Sequence, residues 1–361
     1  MGCFVSSRRV SARIVPTNPM HPKFLPEKRK GETVLAALTR LDDEIASSEK
    51  THPVARLAVV AAELDSIQQE IRQFEDISPT TSSKDLYAKT MHQLFSSLDL
   101  YRRPMLATEN EDFVANVNRK EMRRQELSWL RTRYGELSRE RRVLHAQILR
   151  TRSLYAQLQQ LLGAVWSNIA HPGSALESSL TKASALRDAL AQVSARLRAA
   201  AEYAHAAVRL LDDALPAWKL TTVGKSGWER TVACADACAL LVRARCAERG
   251  ARRVLAARAA PRASRALRLA LDYSFTDVMH DHKYQRATEI FFQFKESLVV
   301  LIDSIHQVLL NNLENLAAAE KDVARCRKEL RGARSNTIVQ KGLAELKYEP
   351  KTLTNLNANF K

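Results

Sequence analysis

The first residues of the chain, Met1-Gly2-Cys3-Phe4-Val5-Ser6, bring together the groups that two acyl-transfer reactions use. Removal of Met1 frees the Gly2 amine in the M-G-x-x-x-[ST] pattern of N-myristoylation, for which only glycine serves as acceptor. Cys3 stands beside it with a thiol that can take a palmitoyl chain. One myristoyl chain binds a bilayer marginally and reversibly, so a second chain or a basic patch is needed for stable anchoring. Both are at hand, because Arg8, Arg9 and Arg13 follow and can meet anionic headgroups. Gly2 and Cys3 are therefore the expected lipidation sites.

Arginine is concentrated in two further blocks. From Arg119 to Arg152, eleven Lys or Arg stand against Glu121, Glu126, Glu136 and Glu140. These glutamates are spaced to pair locally along a helix and leave a solvated face. From Arg243 to Arg268, nine arginines stand against Glu248 alone: Arg243, Arg245, Arg249, Arg252, Arg253, Arg258, Arg262, Arg265 and Arg268. Their planar forks make bidentate contacts with anionic oxygens, so this second block is the expected lipid- or anion-binding site.

Other constellations point to no chemistry. Gly224-Lys225-Ser226 resembles the end of a phosphate-binding P-loop, but Lys219 stands where the first glycine is required and no strand precedes it. Cys234, Cys238 and Cys246 lack the spacing of a zinc site and read as buried thiols. Asp277, His280, Asp281 and His282 form a dense cluster, yet one helix supplies too few ligands for a metal. No nucleophile elbow or triad is visible, so neither catalysis nor a cofactor or metal is expected.

The 361 residues carry a net charge of +16 and a pI near 9.8, which calls for an anionic partner. Apolar residues make up 45%, and only 10 Gly and 11 Pro interrupt the chain, a composition that excludes collagen-like and disordered classes. The uncharged stretch 153–176 contains Gln157, Gln159, Gln160, Asn168 and His171 and is a poor membrane span. No apolar h-region follows Met1, and five cysteines are too few and odd in number for a disulfide framework. The expected location is the cytoplasmic side of the plasma membrane or of an endomembrane.

Periodicity predicts helices throughout and no strand. Pro16, Pro19, Pro22 and Pro26 mark residues 1–32 as a disordered, lipidated basic tether. Leu57, Val60, Leu64, Ile67, Ile71 and Phe74 step by three and four, giving the first arm of an N-terminal helical hairpin over 33–103. A long-helix bundle should occupy 104–334, including one helix from about Glu111 to Ala170 and another ending before Pro216. Residues 221–227 read as the clearest internal loop. A last seam runs through Leu298, Leu301, Ile305, Val308, Asn312, Leu316, Ala319, Val323, Cys326 and Leu330, with Asn312 placed to fix register. This seam predicts either an internal core or a homo-oligomer interface, and 335–361 reads as a tail.

The acylated start resembles those of Src-family kinases and G-protein α subunits over about six residues, which implies anchoring only. Three long helices with Arg-rich faces over 111–331 look similar to BAR domains, implying contact with anionic membrane. Residues 54–130 are similar in layout to a BAG-type three-helix unit, with Leu98-Asp99 ending the middle helix and Arg119-Lys120-Glu121 in the third, which implies an Hsp70 partner. Ala88-Lys89 replaces the acidic pair that unit carries. The expectation is an all-α, elongated bundle of five or six long helices with coiled-coil-like packing. Its function is that of a non-enzymatic membrane-anchored scaffold or adaptor binding anionic membrane lipids, with a BAG-like co-chaperone as the alternative; nucleic acid is not an expected partner.

Overall fold

The structure is a computed structural model and describes residues 32–74, 84–166, 173–256 and 261–346. Over these the chain is all-α, with no strand. The helices are α1 (Val34–Glu49), α2 (Pro53–Arg72), α3 (Lys84–Ser97), α4 (Leu106–Glu109), α5 (Glu111–Trp166), α6 (Ser174–Val223), α7 (Gly227–Val254), α8 (Pro261–Asp272), α9 (Ser274–Asp277) and α10 (Asp281–Gln340). Gly2, Cys3, Arg8, Arg9 and Arg13 lie outside the described residues, as do Arg258 and the side chain of Arg262.

Three helices form the frame. With 56, 50 and 60 residues, α5, α6 and α10 are about 84, 75 and 90 Å long at 1.5 Å per residue. α5 runs from a large core cluster containing Val114 and Met122 to a second cluster containing Leu161 and Trp166. α6 returns from Gly173, whose φ of 92° lies in the left-handed region; a β-carbon there would sit 3.2 Å from Leu330 of α10. α10 starts in the first cluster with Phe291 and ends in the second with Ile338, so the three long helices alternate in direction.

Shorter helices fill the remaining lane. α1 packs on α5 through Leu41, Ile45, Leu154 and Leu158, and α2 continues along α5 through Leu64, Ile67, Leu130 and Leu137. The two therefore follow one another along α5. His52, in the left-handed region at φ 47°, and Pro53 at the first helical turn mark the break between them. α7 enters the lane from the opposite end, and Arg253 near its C-terminus meets Glu70 of α2 at 3.4 Å. Since α2 lies on α5 and α6 while α3 lies mainly on α7, residues 54–130 do not close into a three-helix unit of their own.

Small side chains explain the close pairing of α6 and α7. Ala204, Ala207 and Ala214 of α6 share one core cluster with Ala237, Ala244 and Ala247 of α7, and the Tyr203 ring rests on Gly250, where a β-carbon would come within 2.8 Å. Separation between helices is set by the side chains at the contact, so alanine and glycine let this pair approach closely. Pro216 sits inside α6 and does not end it. Two residues on, Trp218 is fully buried, donates its indole N–H to Thr288 at 2.8 Å and stacks on Tyr284, which holds the turn that proline weakens. The expected loop shrinks accordingly to residues 224–226.

The last seam is used within the chain. Leu298, Ile305, Leu316, Ala319, Val323 and Leu330 are buried, and Asn312 donates to the Leu190 carbonyl at 3.0 Å and to Ser194 Oγ at 2.7 Å on α6. A buried amide whose donors are satisfied selects one register of α10 against α6. Val308 points outward, and Ile302 and Leu309 take the inward places, so the covered positions of α10 from Leu298 to Leu330 alternate by four and three.

Candidate anion-binding site

The arginines of α7 are inside the molecule's own ion-pair network. Arg245 and Arg249 both hold Glu126 of α5, the first at 3.4 Å; Arg252 holds Glu248 one turn back; Arg253 holds Glu70 and donates to Ser66 of α2. All four are half-buried, and the Nε atoms of Arg245, Arg249 and Arg253 are buried without an acceptor. Arg243 is half-buried as well, while Arg265 and Arg268 are exposed on α8. The block therefore splits into an interior part, which clamps α7 to α5 and α2, and two surface arginines. Charge-assisted pairs of this kind cement helices, and a guanidinium already bonded to carboxylate has less to offer a phosphate.

Glutamates of α5 show the counterpart. Glu121 pairs locally with Arg124, and Glu136 with Arg133 at 3.2 Å, as the spacing predicts. Glu126 instead turns to α7, and Glu140 reaches Arg56 of α2 at 2.6 Å. Local pairing thus neutralises less of α5 than its sequence suggests.

A second charged centre sits where α1 meets α2. An open groove of about 560 Å3 lies there between α5 and α6, walled by Val54, Ala55, Ile148 and Ala191. At its floor, Glu49 accepts from Arg187 at 2.7 Å, from Arg327 at 2.5 Å and from the Tyr155 hydroxyl. Burial works to raise the Glu49 carboxyl, but the Tyr155 hydrogen bond and the Arg327 and Arg187 charges outweigh it and hold the group below its ordinary value. The Tyr155 phenol is pushed up to about 12 by burial and by Glu49. A carboxylate held ionised and fully engaged joins α1, α5, α6 and α10; it is not poised for proton transfer.

The remaining constellations resolve into structure. In the α6–α7 turn, Ser226 Oγ caps α7 by accepting from the Glu229 N–H, and Glu229 accepts from the Lys225 N–H, so these amides serve the helix start rather than a phosphate. Cys234, Cys238 and Cys246 are buried, and burial pushes the Cys246 thiol up to about 11. No group of three or more metal-ligating side chains occurs among the described residues. Asp277 is buried beneath the start of α10, and its carboxyl is raised to about 7, chiefly by burial. Comparison of the chain with known protein families, curated proteins and solved structures finds no match.

Proposed function

We propose that this chain is a non-enzymatic helical scaffold or adaptor, anchored by acyl chains on Gly2 and Cys3 to the cytoplasmic face of the plasma membrane or an endomembrane. The observation that carries this reading is the pairing of the Met1-to-Ser6 acylation pattern with a bundle framed by three helices of 50 to 60 residues. A long bundle offers extended lateral surface for partners, and an acyl anchor fixes where that surface is displayed. Lys28, Arg29 and Lys30 add to Arg8, Arg9 and Arg13 as charges that favour anionic headgroups. In the described residues no helix is long and apolar enough to cross a membrane, so attachment in this reading comes from lipidation.

Expression of Gly2→Ala beside the wild type, followed by cell fractionation, tests the anchor. The variant should move from the membrane to the soluble fraction, and Cys3→Ser should lose part of its membrane share, because one chain with basic residues still binds reversibly. Equal membrane fractions for wild type and Gly2→Ala would refute the anchor.

A further inference from the structure

Between Leu137 and Ser153, α5 touches the molecule along one narrow strip. Leu137, Glu140, Leu144, Ile148 and Thr151 recur at intervals of three and four and are buried or half-buried, while nearly every position between them is exposed. Leu137 and Leu144 pack with Leu64 and Ile67 of α2. The rest of the circumference faces solvent and carries Arg139, Arg141, Arg142, Arg150 and Arg152, with Arg131 two turns earlier. Among the described residues none of these six arginines is in an ion pair. The glutamates nearest to them in sequence are engaged by Arg124, Arg133, Arg56 and the α7 arginines, and no Asp or Glu occurs from Arg141 to Leu176. Two large apolar side chains stand among them, Val143 at 59% exposure and Leu149 at 52%.

We infer that this outward face of α5, from Arg131 to Arg152, is a docking surface for an anionic lipid bilayer. It deepens the scaffold reading by naming the surface that meets the membrane. Its 22 residues extend about 33 Å within one uninterrupted helix, so its arginines recur along a length that a sheet of phosphates can meet. Arginine binds phosphate oxygens bidentately, and Val143 and Leu149 can enter the boundary between headgroup and acyl chain, as on interfacial helices. A nucleic acid would use the same arginines but would leave both apolar side chains without a partner. The exposed Tyr155 ring nearby is tied to Glu49 through its hydroxyl.

The test uses the purified, unacylated full-length chain with extruded phosphatidylcholine vesicles, with and without about 30% phosphatidylserine. Wild type should cosediment only with the phosphatidylserine vesicles and be released as salt rises from about 0.1 to 0.5 M, because screening shortens the reach of surface charge. R139Q/R142Q/R150Q should bind ten- to a hundredfold more weakly, R139K/R142K/R150K within a few fold of wild type, and R265Q/R268Q on α8 like wild type. An environment-sensitive fluorophore on A146C, which keeps every arginine, should brighten when phosphatidylserine vesicles are added. Unchanged binding of a folded glutamine variant, no response of the A146C label, or tighter binding to duplex DNA than to the vesicles would overturn the inference. Because no acyl chain is present, these outcomes leave the Gly2 anchor untouched, and equal fractionation of Gly2→Ala would leave this surface untouched.

Discussion

Replacing Asp277 with asparagine should stabilise the protein at neutral pH and change little in acid. Asp277 is 9% exposed, in α9 beneath the first turn of α10. Burial raises its carboxyl to about 7; Lys283 and Arg286 work against the rise and Glu111 adds to it. Lys283 is already paired with Glu111 at 2.9 Å, so it compensates Asp277 weakly. The unfolded chain releases this proton near 3.8 and the folded chain near 7, so between these values the native state holds more proton than the unfolded one. Stability therefore falls as pH rises through that window and stays low above it. Three pH units of displacement correspond to about 4 kcal/mol at most, and between pH 4.5 and 8 the linkage relation leaves about 3 kcal/mol. The amide of Asp277→Asn has no proton to lose, so the unfolding free energy of the variant in urea should exceed that of wild type by about 3 kcal/mol more at pH 8 than at pH 4.5. Parallel stability–pH profiles for the two proteins would refute the placement of Asp277 in a site that disfavours its charge.

Two further variants probe the frame. Glu126→Gln leaves Arg245 and Arg249 with a neutral partner in a half-buried site and should lower stability by about 1–3 kcal/mol, while binding to phosphatidylserine vesicles stays within twofold; urea unfolding and cosedimentation read the two effects. Leu301→Asp with Ile305→Asp puts carboxylates into the cluster formed with Leu197 and Ala200, so circular dichroism should show loss of helix. If light scattering instead showed an oligomer becoming a folded monomer, the α10 seam would be an intermolecular interface.

Much of this architecture is legible in the sequence because long helices announce themselves by period. The start of α5 at Glu111 follows from acidic first-turn residues after Asn110, and the expected end at Ala170 lies outside the described residues. Asn312 stands out as a polar residue on an apolar seam, and its hydrogen bonds to α6 give it the register-fixing role the pattern implies. Pro216 misleads because local propensity argues for a stop, whereas the buried Trp218 two residues on outweighs it. The path of α1 and α2 is hidden for a similar reason: apolar spacing tells which side of a helix is covered, not whether the next helix turns back or runs on.

The arginines mark the division most clearly. Sequence alone determined their number, their grouping in blocks, and the lack of any acid between Arg141 and Leu176. From composition, the α7 block with its single glutamate looks the more exposed, and the α5 block with four glutamates the better neutralised. Tertiary structure reverses this, since Glu126 and Glu70 reach the α7 arginines from other helices and Arg56 draws Glu140 away from α5. Charge along a chain is set by residue identity, but neutralisation depends on distances of a few ångströms between groups far apart in sequence, and only packing of the helices brings those groups together.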